Sequence, residues 1–520
     1  MSWMHHLLYL IIASFGFIFV QLLRLKFSPR GAVWAKLDAV GATPGDCLPS
    51  FARDVLSSIV LTRKFANEGY RKFNKALDRP YALPTPWVRG SSVMVLPPSQ
   101  IPLLARLDKT GDSEWTNLRG LVETTQLPYI IDDANIYQNV LHFDIVRQKM
   151  AHRDMSRLAP VTADEIDHSF RDIWGTDVEW RTINGWEACG RIISRAAQRI
   201  LIGLPLSRDE TMLETSRHYA NSLLVGGAII NCFPPSIRWL VAPLIAVRAR
   251  YFQARYVKML LPLVQERISQ WEAGKDGGPD DFLQWMIAIC ARDPEQLNAT
   301  RIALRLASLL TPLIFAICYV FAHCVLGIHG SADRADILAG LEEECARVSA
   351  QHGGLATSAS TDALRRVDSV LRESMRVSDV SVTNIFRDVV AGEVDVGHGL
   401  RVGPGVRMVF PTQDIHLDPD NYVDPERFDA FRFSRSFENG DRRGGEQEFI
   451  TTATPSFMPF GYGRHVCPGR WFAAQSMKQT LAYLVLNYDV ELVGPPSKRK
   501  ALLNMMVPPV DTQIRIRQKV

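Results

Sequence analysis

The chain has 520 residues, 47% of them hydrophobic and 22% charged, and a formal net charge of +4. So small a charge over this length gives no electrostatic footprint for nucleic acid. Its 8 cysteines include no C-x-x-C pair and no regular spacing, which disfavours a zinc or disulfide framework.

The first feature in chain order is an apolar run from Leu7 to Leu23, after Met1-Ser2-Trp3-Met4-His5-His6 and before Arg24, Lys26, Arg30 and Lys36. A cleaved signal peptide is disfavoured, because the leading segment lacks Lys and Arg and no small-residue cleavage site follows. Basic residues after the run place the body on the cytosolic side. Residues 1–27 are therefore predicted to be a single-pass anchor in the endoplasmic reticulum membrane, with residues 28–520 forming one body. The linker carries Pro29, Pro44 and Pro49 but no compact proline cluster. Strands are expected between Tyr81 and Pro98 and again near Ile385 and Val394, within an otherwise helix-rich chain.

From Leu306 to Leu326 the chain is almost free of charge, a length that passes for a membrane span and equally for a long central helix. Within it Pro312 lacks the N–H that would bond the Ser308 carbonyl, so a kink is expected beside Thr311. Further on, Leu364, Val367, Val370, Leu371 and Met375 form the apolar stripe of a helix that carries Glu373 and Arg376 on one face. Such a pair is ordinarily a surface salt bridge. Arg387 follows an alternating segment from Ser381 to Phe386, and Asn421-Tyr422-Val423-Asp424-Pro425-Glu426-Arg427-Phe428 lies beyond it. Phe433 to Pro455, with Asn439-Gly440-Asp441 and Gly444-Gly445, reads as a loop.

That loop leads into Phe460-Gly461-Tyr462-Gly463-Arg464-His465-Val466-Cys467-Pro468-Gly469. Cys467 precedes a helical pattern with Phe472, Ala473, Met477, Leu481 and Leu484 on one face, so its sulfur is expected near a helix N-terminus, where the dipole favours a thiolate. Gly461 and Gly469 let backbone approach a ligand closely. Arg464, Arg470 and Lys478 flank this side and suggest a docking face for an acidic electron donor, against the alternative of a solvated helix face.

The ten residues read F-G-x-G-R-x-x-C-x-G, and with them the chain resembles the cytochrome P-450 superfamily of haem-thiolate monooxygenases, in particular fungal members of secondary metabolism. The resemblance implies a mostly α fold with small β-sheets: one large haem domain after an N-terminal membrane helix. It implies haem b (iron protoporphyrin IX) with Cys467 as axial iron ligand, Phe460 shielding the sulfur, and Arg464 and Arg387 toward the propionates. The usual Trp-x-x-x-Arg spacing is absent from His142 to Pro160, so neither His142 nor Arg147 is assigned to a propionate. Glu373, Arg376 and the arginine of the P-E-R-F box, Arg427, correspond to a buried structural triad. Thr311 matches the threonine of the family's acid–threonine pair, but Leu310 stands where the acid belongs, which rules out a carboxylate relay there. Ala307, Phe315, Val380 and Val382 are candidates for the substrate wall, each with plain core packing as its competing role.

The function implied is oxidation of a hydrophobic terpenoid, meroterpenoid or polyketide–amino-acid hybrid. Dioxygen and electrons from NADPH are used, passed by NADPH–cytochrome P-450 reductase, with cytochrome b5 as a further donor. Because of Leu310 and Pro312, oxidative rearrangement, desaturation, ring expansion or a reductase-independent isomerase are the alternatives.

Overall fold

The computed structural model describes residues 33–34, 36–43, 46–88, 91–103, 115–116, 118–233, 235–275, 277–438, 448–495 and 499–520. The proposed anchor at 1–27 and residues 439–447 of the loop expected at 433–455 lie outside them. Among the described residues helices dominate, with four small sheets. The largest sheet has six strands in the order Asp38–Ala39, Tyr81–Pro84, Ser92–Val95, Arg407–Phe410, Asn384–Val389 and Trp115–Thr116. A second joins Tyr488–Val493, Gln513–Gln518 and Arg181–Asn184. The predicted strands near Tyr81, Val93, Ile385 and Val394 are all present.

The apolar segment that could have been a membrane span is the centre of the core. Asn298 accepts the Arg301 N–H and starts a helix at Ala299–Leu310. The path continues through a π-helical turn at Thr311–Ala316 into a helix at Ile317–Gly330. Its most apolar stretch is 67% buried by neighbouring protein, so protein rather than lipid covers its apolar side chains. The expected kink takes the form of that π turn. Pro312 cannot donate to the i−4 carbonyl, and the wider turn absorbs the loss without ending the helix.

The Glu373–Arg376 helix runs from Arg365 to Val377, and all five stripe residues are buried. Its first turn is capped from outside: the Glu344 carboxylate accepts the N–H groups of Arg365, Arg366 and Val367 at 2.8, 2.9 and 3.0 Å. Burial pushes the Glu344 carboxyl up, and these amide bonds pull it down.

Glu373 and Arg376 are fully buried and joined by two 2.8 Å bonds. The third member of the cluster is Arg432, not Arg427: Arg432 Nε lies 3.1 Å from Glu373 Oε1. Arg427 is 62% exposed in its side chain and pairs with Asp333. Only its carbonyl reaches the cluster, accepting from Arg376 at 3.4 Å. The coil from Asp424 turns the Arg427 side chain to solvent and brings Arg432, five residues on, back over the carboxylate.

Candidate active site

The cysteine loop is shaped by its backbone. Gly461 and Gly463 have φ of +83° and +73°, a region closed to most side chains, and they let the chain double back. The Gly461 N–H donates to Met458 O at 2.9 Å, and the Cys467 N–H donates to Phe460 O at 2.7 Å. Cys467 is followed by a helix at Arg470–Asn487, whose apolar face of Phe472, Ala473, Met477, Leu481 and Leu484 is buried. Burial pushes the Cys467 thiol up, while the Gly469 amide, the Arg470 charge and the Arg470 amide pull it down. Arg470 is held by the Cys467 carbonyl at 3.1 Å.

The sulfur side of this loop opens on a cavity of about 450 Å³. Phe460, Gly461, Cys467 and Gly469 lie on one wall, and Leu309, Pro312, Leu313, Ala316, Ile317 and Val320 of the central helix on the other. Arg387 also lines it, buried on its strand, with Nη1 donating to Phe386 O at 2.9 Å. That strand is irregular between Asn384 and Arg387, and Ile385 in the gap has φ of +59°, a strained value for a β-branched residue. A second chamber of about 340 Å³ shares Phe143, Pro312, Ala316, Val380, Asn384 and Phe386 with the first, so the two adjoin.

Thr311, Phe315 and Val380 line the second chamber. Thr311 Oγ1 is buried and has no hydrogen-bond partner among the described residues. Ser308 is beside it, with its hydroxyl turned back to Leu304 O at 3.0 Å. Leu310 is fully buried in the core and brings no polar atom to either chamber. Ala307 and Val382 are also fully buried and line neither: the helix turns the first toward the core, and the Val382 N–H is tied to Asn504 O at 2.9 Å.

Arg464 is exposed and is not on the cavity wall, where its neighbour His465 stands instead. The 3-10 turn at Gly463–His465 directs adjacent side chains apart. Lys478 is buried 3.3 Å from Asp368 and so presents no charge to a docking partner. Arg147 faces solvent with Asp144 at 2.6 Å. His142 is buried, lines the second chamber, and its Nδ1 has no partner among the described residues. Burial, then Arg305, pushes the His142 imidazole down to about 3, so it is neutral. Asp379, with no sequence signal beyond its closeness to Arg376, lines the cysteine cavity.

The family described as Cytochrome P450 matches residues 208–516. The chain belongs to the cytochrome P450 family. Cytochrome P450 monooxygenase gloP of Glarea lozoyensis is 34% identical over 479 residues, covering 87% of this chain and 85% of the relative. Cytochrome P450 monooxygenase htyF of Aspergillus rugulosus is 34% identical over 493 residues, covering 89% of this chain and 70% of the relative. Cytochrome P450 monooxygenase okaG of Penicillium ochrochloron is 28% identical over 489 residues, covering 88% and 90%. The chain is thus a P450 monooxygenase, and the family implies haem and electrons from a redox partner. The cavity of this P450 fits such a group: it offers a thiol at its floor, a buried guanidinium on its wall, and apolar side chains between.

Proposed function

We propose that this P450 oxidises a hydrophobic secondary metabolite, of terpenoid, meroterpenoid or polyketide–amino-acid type, in fungal natural-product biosynthesis. The observation that carries this reading is the position of Cys467 at the foot of an apolar cavity that adjoins the Thr311 chamber. Cys467 would hold haem b as its axial ligand, with Arg387 toward a propionate and Phe460 limiting water at the sulfur. When bound, haem supplies dioxygen activation, which thiolate donation to the iron favours. The residues of this chain bind and orient around that chemistry. The apolar walls exclude water and select an apolar substrate. Thr311 Oγ1, free of any described partner, is the hydroxyl suited to hold a proton-carrying water. With Leu310 buried beside it, no neighbouring carboxylate on that turn shares the task, and this favours rearrangement or desaturation as a second reading.

Electrons would come from NADPH through NADPH–cytochrome P-450 reductase, with cytochrome b5 as a further donor. Anchoring by residues 1–27 in the endoplasmic reticulum is supported by the apolar surface on the helix Pro235–Glu272, where Trp239, Leu240, Leu244 and Val247 are each at least 60% exposed. The test is turnover of the holoenzyme with reductase, NADPH and labelled dioxygen over a panel of such metabolites. Reductase-dependent incorporation of one labelled oxygen atom is expected, or labelled water with desaturated product in the second reading. Turnover by peroxide alone, indifferent to NADPH, would overturn both.

A further inference from the structure

The second chamber is walled without charge: among the described residues no Asp, Glu, Lys or Arg lines it. The cysteine cavity beside it differs, with Asp379 and Arg387 on its wall. Several polar side chains that do reach the second chamber are spent on the protein itself. Asn504 Oδ1 accepts the Thr383 N–H at 2.8 Å, and its Nδ2 donates to Thr383 O at 2.7 Å. Asn231 Nδ2 donates to Thr124 O at 2.9 Å, and its Oδ1 accepts Gln126 Nε2 at 2.6 Å. Two buried side-chain polar atoms on this wall have no partner among the described residues, Thr311 Oγ1 and His142 Nδ1.

His142 is 2% exposed and is the second residue of the helix Leu141–Lys149. The segment that delivers it is pinned to the central helix, because Arg305 Nη1 donates to Asn139 O at 2.5 Å and Nη2 to Asn135 Oδ1 at 2.7 Å. The ring packs against Phe143, with centroids 4.4 Å apart. Such support orders the imidazole before any ligand arrives, so little side-chain freedom is lost on binding. Burial, and then the Arg305 charge, oppose protonation, and the ring is neutral.

A neutral imidazole has one N–H donor and one lone-pair acceptor. A hydroxyl suits it in either tautomer, since it both donates and accepts. A carboxylate only accepts, and its charge would be buried in a chamber that supplies no cation. A hydrocarbon leaves the ring unsatisfied. His142 lines this chamber and not the cysteine cavity, so the group it meets lies away from the sulfur.

We propose that His142 is a specificity-determining residue, which hydrogen-bonds a hydroxyl already present on the substrate and holds it in the second chamber while another part of the molecule faces Cys467. This rests on the reading of the two chambers as substrate space. It narrows the substrate to an uncharged alcohol, whose hydroxyl an earlier oxygenation or carbonyl reduction must supply and which the reaction here leaves in place.

The test is equilibrium dialysis of the full-length holoenzyme with matched pairs of terpenoid and polyketide alcohols and their deoxy analogues, the hydroxyl set at successive positions of each skeleton. At least one alcohol is expected to bind the parent about ten-fold more tightly than its deoxy analogue. In His142→Phe, which keeps an aromatic ring against Phe143, that ratio should fall to near one while the deoxy analogue binds as it does to the parent. The carboxylate of the same skeleton should bind the parent more weakly than the alcohol. Equal binding of every alcohol and its deoxy analogue by the parent, a preference undiminished in His142→Phe, or a carboxylate bound more tightly than the alcohol would overturn the proposal. If His142→Phe yields no holoprotein, His142→Leu decides by the same ratio. Binding needs neither reductase nor NADPH, so a parent without NADPH-dependent turnover would refute the proposed function and leave the ratio to judge His142 by itself.

Discussion

Two arginines five residues apart have opposite fates, and substitution separates them. Arg432 is 13% exposed in its side chain and sits on the fully buried Glu373 carboxylate, so Arg432→Leu leaves that carboxylate with Arg376 as its one remaining cation. Loss of a buried partner costs about 3 kcal/mol or more, and haem content of the purified protein should fall sharply. Arg427→Leu removes an exposed, solvent-screened pair with Asp333 and should leave stability and haem content near those of the parent. The P-E-R-F box marked this region correctly but not the arginine, because the coil from Asp424 to Arg432 has no periodicity from which to read side-chain direction. Thr311 is a different case: its position was legible from the central helix, and its unpartnered hydroxyl gives the expectation that Thr311→Ala diverts electrons to peroxide. Peroxide released per NADPH consumed should rise and product should fall. Unchanged coupling would move the proton path elsewhere.

Among the elements, the long apolar helix was ambiguous as sequence, because a core helix and a membrane span share length and composition. Packing decides between them, and no local pattern reports it. The π turn was anticipated only as a kink at Pro312: the missing N–H is visible in sequence, but the widened turn that compensates depends on neighbours. The Glu373–Arg376 helix was fully legible from its stripe, whereas its cap was not, since Glu344 arrives from the separate helix Arg334–His352. Glu344→Ala should leave three first-turn amides without their acceptor and lower stability by about 2 kcal/mol, read as a fall in the thermal midpoint. A midpoint equal to that of the parent would mean that water caps the helix equally well.

Across the whole molecule, buried histidines set the response to acid. Burial pushes His323 down to about 3, with Arg499 as the second cause, and pushes His329 down to about 4. Both folded values lie below the unfolded value near 6.5, so the unfolded chain binds more protons and stability falls as pH drops below about 6.5. Each contributes a loss of about 2 kcal/mol at pH 5. Asp414, pushed up to about 6 by burial, acts in the opposite sense below that pH and offsets part of one histidine. The thermal midpoint should therefore decline from pH 7 to pH 5, less steeply in His323→Phe than in the parent. Equal slopes would show that His323 is protonated in the folded state. The mostly helical architecture with small sheets was readable from the order of motifs, because each motif is tied to the cavity by short-range geometry. The cavity wall was not, and Ala307, Val382 and Arg464 fell away because one residue of rotation on a helix or turn exchanges core, wall and solvent.

The assignment on which the rest depends concerns one sulfur atom. Purified holoenzyme and its Cys467→Ser variant, each reduced under carbon monoxide, give the most direct reading. Thiolate ligation predicts the characteristic red-shifted band in the parent and its complete loss in the variant; the same band in Cys467→Ser would contradict it.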